Sequence, residues 1–216
     1  MGAQLDHLVI TAATLEQGCE QVKRWLGVEP GSGGAHERMA THNRLMRLGP
    51  TVYLEVIAPN PLAPPPTRPR WFGMDDPGRL AHPRLATWVA RTSSIAELCQ
   101  RLPIDPGPVH PMRRGEWEWQ ITIPDDGQAA LQGVLPTLIE WQGDRHPTAF
   151  MNDWSCHLLC LELHHPDPQL VKNQMTVLAL SGDVAIEVCK ADSAPGLRAV
   201  IQTPTGVRVI EGFGQF

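Results

Sequence analysis

The chain has 216 residues, of which 42% are apolar and 19% charged, a composition typical of globular proteins that excludes a disordered chain. The net charge is −5 and no run of Lys or Arg is present, which argues against nucleic acid as a partner because binding to phosphates needs a basic surface. No apolar run approaches the about 20 residues that span a bilayer, no signal-peptide pattern opens the chain, and the five cysteines lack CxxC spacing, so we expect a cytoplasmic protein with reduced thiols and no membrane partner.

The first predicted element is a strand over residues 5–11, where apolar and polar side chains alternate between two faces. Thr14 and Gln17 follow with the spacing of a capping box, which predicts that a helix begins there. His7 and Asp6 fall on opposite faces of the predicted strand. A histidine in the middle of a strand is either a hydrogen-bonded core residue or part of a site, and the pattern alone leaves both interpretations open.

Two extended segments follow this helix, at residues 41–49 and 51–58. Glu55 lies in the second segment among apolar neighbours and shares a face with Tyr53 and Ile57. A carboxylate in such a strand is unfavourable unless it is paired or bound to a metal. The alternative is that this strand edge is solvated and that Glu55 pairs with a nearby arginine.

The order of strand, capped helix and extended segments recurs twice. A strand over residues 85–91 is followed by Ser94 and Glu97, which again predict a helix N-terminus. A third strand, over residues 157–163, is followed by Asp167 as the expected N-cap. An internal repeat of this kind indicates that one supersecondary unit has been used three times.

We interpret the chain as three βαβββ units. The first covers residues 1–60, the second covers 61–145 and begins with a proline-rich linker, and the third, degenerate unit covers 146–216. Gly182 is expected to end the helix of the third unit.

Four motifs give this pattern a family resemblance: LDHLVI at residues 5–10, THNRLMRLG at 41–49, YLEVIAP at 53–59 and LIEW at 138–141. On these motifs the sequence resembles the vicinal oxygen chelate superfamily, and within it the glyoxalase-like domain proteins. The resemblance covers most of the first two units. It implies an α+β fold in which repeated βαβββ modules form curled mixed sheets, with the site inside the resulting cup.

The resemblance also implies a metal site, whose ligands lie on the first and last strand of each module. His7 and Glu55 match these positions in the first unit, and the LIEW strand places Glu140 opposite Glu55. The fourth position falls on Thr87, a poor ligand. One imidazole and two carboxylates imply a divalent metal (Zn, Mn, Ni or Fe) with open coordination positions, and Glu140 is additionally a candidate for moving a proton. A solvated carboxylate at a strand end is the alternative for Glu140.

Further candidates lie near the expected rim of the cup. His42 is a candidate acid or base, and Asn43 is expected to hold a substrate carbonyl. Arg44, Tyr53 and Thr87 are expected to contact substrate. The alternative for the His-Asn pair is turn chemistry, and for Arg44 it is strand solubility.

Two segments are interpreted as structural. Residues 113–119 predict a solvated hairpin with Arg114 on its surface, and the GSGG sequence at residues 31–34 is interpreted as a loop without a phosphate-binding role.

The sequence therefore predicts a metal-assisted lyase or isomerase acting on a small oxygenated substrate such as an α-hydroxycarbonyl compound. One alternative is a metal-free protein that sequesters a small molecule in the same cup. Another is an extradiol-type dioxygenase, which needs a second histidine from His42 or His157. An unpaired third unit leaves a homodimer open.

Overall fold

The computed structural model describes residues 2–213, and the element order βαβββ occurs in it three times. No helix of the described part is both long and apolar enough to cross a bilayer. The elements of the first unit are β1 (Gln4–Thr11), α1 (Leu15–Leu26), β2 (Ala35–His36), β3 (Thr41–Arg47) and β4 (Tyr53–Pro59).

The second and third units follow in chain order. A short helix, α2 (Pro77–Leu80), precedes the second unit. The second unit comprises β5 (Arg84–Arg91), α3 (Ile95–Arg101), β6 (Val109–Arg114), β7 (Trp117–Thr122) and β8 (Thr137–Trp141). The third comprises β9 (His157–His165), α4 (Pro168–Leu178), β10 (Ala185–Lys190), β11 (Gly196–Thr203) and β12 (Gly206–Phe213).

The first two units together form one eight-stranded sheet in the order β2-β3-β4-β1-β5-β8-β7-β6. In each unit the first strand pairs in parallel with the last, and the antiparallel pair of β1 and β5 joins the units. The sheet is mixed and curled, which confirms the predicted α+β class.

The third unit repeats the element order with a different strand order. Its sheet runs β10-β9-β11-β12, so the first strand pairs with the second and third strands and not with the last. This sheet packs against the first through contacts of β11 and β12 with β5. The approach is close, because a Cβ on Gly212 would lie 1.8 Å from the carbonyl oxygen of Leu85.

Two hydrophobic clusters cover the two faces of the eight-stranded sheet. The larger one contains side chains from all three units and from α1, among them Leu8, Trp88 and Leu161; we call this side the helix face. The smaller one includes Val9 and Ile139 and lies on the other side, which we call the cup face. Alternation along each strand thus decides whether a residue belongs to the structural core or to the cup.

The predicted helix starts agree with the structure. The Thr14 side chain accepts a hydrogen bond from the backbone N–H of Gln17, and the Asp167 carboxylate caps α4. The predicted end of α4 at Gly182 is wrong. The helix ends at Leu178, because Ala179 adopts a left-handed conformation with φ of 45° and its N–H bonds to the carbonyl of Met175.

Candidate active site

A group of buried polar residues from the first unit lies on the cup face. His7 is on β1, Asn43 is on β3, and Tyr53 and Glu55 are on β4; each is 3–6% exposed. They line a cavity of about 30 Å³, which has room for one or two water molecules. The structure therefore brings four of the residues predicted from the sequence into one site.

His7 is held from behind by its neighbour in the sequence. Its Nδ1 lies 2.6 Å from Oδ1 of Asp6. Consecutive residues of a regular strand point to opposite faces, but the pairing of β1 with β5 skips Asp6 and leaves it as an extra, bulged residue. The prediction that Asp6 and His7 lie on opposite faces of a regular strand is therefore wrong, and the bulge is what brings the carboxylate to the ring.

Asp6 is completely buried, and the second unit and the linker after it provide further partners. Its Oδ2 accepts hydrogen bonds from Nε1 of Trp141 and Nε2 of His146, each at 3.0 Å, and Arg91 lies 3.7 Å away. Burial raises the pKa of Asp6, but the hydrogen bonds and charges of His146 and His7 outweigh it and hold the pKa well below its usual range. Asp6 is therefore a carboxylate that orients His7 with Nε2 facing away from it.

Glu55 is oriented in a similar way from the opposite side. Its Oε1 accepts a hydrogen bond of 2.5 Å from Nδ2 of Asn43, and its Oε2 lies 3.6 Å from Nε2 of His7. That separation is too long for a strong hydrogen bond. His7 and Glu55 therefore present one nitrogen and one oxygen to each other, each fixed by a partner behind it.

The amide oxygen of Asn43 has two donors, the backbone N–H of Gly34 at 2.8 Å and Nη1 of Arg114 at 3.1 Å. The glycine loop packs tightly here, since a Cβ on Gly33 would lie 2.0 Å from the backbone oxygen of Asn43. The loop at residues 31–34 thus serves to position Asn43, and through it Glu55.

Aromatic and aliphatic side chains, together with Arg114, form the rest of the cavity. Tyr53 stacks on the His7 ring with centroids 4.4 Å apart, and burial, followed by the charge of Asp6, raises its pKa well above the usual value, so it stays neutral. Burial and the nearby Arg114 lower the pKa of His36 to about 3, so this histidine is neutral as well. The remaining lining residues are Leu45, Trp71, Phe72, Trp119, Ile121, Ile139 and Trp141.

Glu140 is not brought to His7 and Glu55. It lies on the helix face of β8, where its Oε2 accepts a hydrogen bond of 2.8 Å from the backbone N–H of Ile95 at the start of α3. Matching the two strands residue by residue places Ile139, and not Glu140, at the position of Glu55. The expectation that Glu140 faces the cup is therefore wrong. A difference of one residue in register moves a side chain to the other face of the strand.

Thr87, His42 and Arg44 are also outside the cavity. Thr87 is buried on β5 and its hydroxyl donates to the carbonyl of Gly133 at 3.1 Å. His42 and Arg44 alternate with Asn43 on β3 and therefore face α1. Burial lowers the pKa of His42, while Glu16 acts in the opposite direction, consistent with a position on the helix face.

Sequence reasoning missed four groups that build the site: Asp6, Arg114, Trp141 and His146. Arg114 was expected on a solvated hairpin, but that hairpin brings it to Asn43. The only sequence signal for Asp6 is its position directly before His7. The side chains of two such neighbours in a strand can hydrogen-bond to each other only where the strand is bulged. His146 lies in a linker, and no local pattern points to it.

The donor atoms in the cup do not complete a resident metal site. His7 Nε2 and Glu55 Oε2 are separated by 3.6 Å, a distance that suits two ligands of one ion. Catalytic zinc and non-haem iron sites use three protein ligands. Within residues 2–213, no third His, Cys, Asp or Glu joins this pair, so the side chains present fit two coordination positions and not three.

The chain matches the family model described as "Glyoxalase-like domain" over residues 5–179. A solved hypothetical protein from Staphylococcus aureus is similar with a TM-score of 0.63 and 13% identity, over 89% of this chain and 88% of that chain. Methylmalonyl-CoA epimerase from Mycobacterium tuberculosis has a TM-score of 0.43 and 17% identity, over 66% of this chain and 89% of that chain. No curated protein matches the sequence. The family match covers most of the chain, which therefore belongs to the glyoxalase-like domain family.

Proposed function

We propose that this protein is an enzyme that moves a proton on a small oxygenated substrate, with His7 as the acid or base and without a resident metal. The observation that supports this is the facing pair of His7 Nε2 and Glu55 Oε2, 3.6 Å apart and each oriented from behind by a buried partner. A merely structural histidine needs no such second carboxylate facing its free nitrogen.

The roles follow from the contacts. His7 Nε2 takes the proton from a C–H next to a substrate carbonyl, and the Asp6 carboxylate stabilises the imidazolium that forms. Glu55 is close enough to accept or return a proton on the other side of the same small space. The electron pair left by the C–H bond moves onto the carbonyl oxygen, and the guanidinium of Arg114, which lines the cavity, is the cation available to stabilise it.

Substrate access requires a movement, because a cavity of about 30 Å³ holds water but no organic substrate. Trp71 and Phe72 form one wall, and Phe72 has a left-handed φ of 60°, a strained conformation for an aromatic residue. The indole N–H of Trp71 is buried without a hydrogen-bond acceptor. We infer that this segment opens for the substrate and that a substrate oxygen satisfies the indole.

The test is proton exchange in D2O. The protein is incubated with α-hydroxycarbonyl compounds such as dihydroxyacetone and lactaldehyde in the presence of EDTA, and loss of the C–H signal is followed by NMR. We expect exchange by the unmodified protein and a loss of about 100-fold or more in His7→Gln. Glu140→Gln is the matched control, since this carboxylate was predicted for the site but lies on the helix face, and it should retain full exchange.

Two results would contradict the proposal. Exchange that needs added Zn²⁺, Mn²⁺, Ni²⁺ or Fe²⁺ would support the metal-assisted reaction that the family resemblance implies. Equal exchange in His7→Gln and the unmodified protein would remove His7 from the chemistry.

A metal-free binding protein is the second candidate, and the aromatic wall of Trp71, Trp119 and Trp141 favours it. Ligands that change tryptophan emission without any exchange or turnover would support binding alone. The dioxygenase alternative has no such support, because His42 faces α1 and His157 lies exposed at the start of β9.

A further inference from the structure

Outside the cup, four side chains of the metal-binding types form two cross-strand pairs on one face of the second sheet, which also carries Cys160 and Glu211. Glu162 and His164 alternate along β9, and Glu187 and Cys189 alternate along β10. The parallel register pairs Glu187 with Glu162 and Cys189 with His164. Since paired residues of neighbouring strands project to the same side, the four form a rectangle of about 4.8 by 6.6 Å at the backbone.

Three of these side chains converge. One ligand atom each from Glu162, His164 and Cys189 lies within 4.8 Å of the other two, and Nε2 of His164 is 2.9 Å from Oε2 of Glu162. All three are partly buried, with side chains of Glu162 and His164 only 16% and 19% exposed. Donors bound to one tetrahedral ion lie about 3.5 Å apart, so small side-chain rotations are sufficient to close the group around a cation.

The charges favour a cation on the β10 side of this group. Arg198 on β11 binds Oε1 of Glu162 at 2.5 Å and also contacts Glu211. It therefore neutralises Glu162 from the side away from β10. On the β10 side, Glu162 and Glu187 are directly opposite each other, and like charges in that arrangement destabilise a strand pair.

We propose that Glu162, His164 and Cys189 form a Zn²⁺ site, with Glu187 or water in the fourth position. A thiolate, an imidazole and a carboxylate are a donor set that suits zinc. The ion joins β9 to the edge strand β10, so its role is to hold that strand in place.

This site is separate from the cup and from the proposed reaction. It lies on the four-stranded sheet, and Cys189 comes after residue 179, where the family match ends. Its existence and the function proposed for His7 can therefore be tested independently.

The experiment uses the full chain and metal alone. Co²⁺ is added to the apo protein as a spectroscopic probe, and Zn²⁺ affinity is measured by competition with a chelating dye. We expect one equivalent to bind with a thiolate-to-cobalt charge-transfer band. Cys189→Ser should abolish the band, and His164→Gln should weaken Zn²⁺ binding by more than the 10–100-fold typical of residues behind the ligands.

Two control variants separate this site from others. Cys160→Ser removes the other thiol on the same face of β9, which is paired with Ala185 beside the rectangle. The band should be unchanged in this variant, because Cys189 and not Cys160 is the proposed ligand. His7→Gln should also leave it unchanged, since His7 belongs to the cup.

The proposal is overturned if Zn²⁺ fails to bind, or if the charge-transfer band survives in Cys189→Ser. It is equally overturned if His7→Gln removes the bound equivalent. Circular dichroism of each variant shows whether a loss of binding reflects a loss of fold. If Cys189→Ser is misfolded, Zn²⁺ binding by His164→Gln with an unchanged spectrum tests the site instead.

Discussion

In the first half of the eight-stranded sheet, β1 and β4 present His7 and Glu55 to the cup, whereas in the second half β5 and β8 present Val89 and Ile139. The two halves share the same strand order. The two halves therefore share a fold but differ in the side chains that they present at these positions. With Val89 and Ile139 at these positions, β5 and β8 offer no ligand to a metal shared between the halves, and the proposed acid–base pair lies in the first half alone.

The second half still contributes to the site, from behind and from the rim. Trp141 and Arg91 contact the carboxylate of Asp6, together with His146 of the linker, and Arg114 contacts Asn43. In the proposed reaction, the first half supplies the reacting groups and the second half helps to fix their orientation. The following substitutions test that division, in order of expected effect.

Asp6→Asn should have the largest effect on stability, because it leaves the partners of a fully buried carboxylate without their counter-charge. We expect a loss of about 3–5 kcal/mol in the free energy of unfolding at pH 7, measured by urea denaturation. The lowered pKa of Asp6 means that its contribution is present above the ordinary carboxyl pKa and is lost as the pH falls below it. The variant should therefore lose stability less steeply in acid, whereas exposed Asp192→Asn should behave as the unmodified protein.

His36 should make the protein sensitive to mild acid. Burial lowers its pKa from 6.5 to about 3. Between these two pH values His36 is protonated in the unfolded chain and neutral in the folded chain. Stability should fall as the pH drops from 6.5 toward 3, by about 1.4 kcal/mol per pH unit at most from this group. His36→Asn should reduce that slope. An unchanged slope would assign the acid sensitivity to other groups.

Arg114→Gln tests whether the second half contacts the substrate. Loss of the cation beside Asn43 should lower kcat/KM of the proton-exchange reaction about 10-fold, the effect of one charge-assisted hydrogen bond. Arg113→Gln is the matched control, since the Arg113 side chain, next to Arg114 in the sequence, is 74% exposed. Equal effects of the two substitutions would mean that general surface charge, and not contact in the cavity, attracts the substrate.

Glu140→Ala should have the smallest effect. Removal of its hydrogen bond to the N-terminus of α3 should reduce stability by about 1 kcal/mol in thermal or urea unfolding. Activity should be unchanged, because the side chain is on the helix face. A loss of activity in a variant of unchanged stability would return Glu140 to the site.

Much of the fold follows from local rules that the sequence carries. Thr14 and Asp167 mark helix starts because a side-chain oxygen must satisfy backbone N–H groups there. Alternation alone predicts that Tyr53 and Glu55 share one face of their strand, as the structure shows. The family resemblance added His7 and the cup itself.

The remaining features of the fold and of the site depend on strand register and on contacts between residues that are distant in the sequence. Glu140 was misplaced because a shift of one residue exchanges the faces of a strand. The strand order of the third unit is decided by which edge β10 reaches after α4, and no local pattern encodes that choice. Arg114 and His146 join the site through tertiary packing over sequence separations of 71 and 140 residues.

The bulge at Asp6 makes the site sensitive to chain length as well as to residue type. Deleting Asp6 would remove the first of the two irregularities in the ladder between β1 and β5, with Leu5 and His7 still opposite Ala90 and Val89. The barrel-like sheet would be kept, while the carboxylate behind the imidazole would be gone. The orientation of His7 in this chain therefore depends on the number of residues at the start of β1 as well as on their identity.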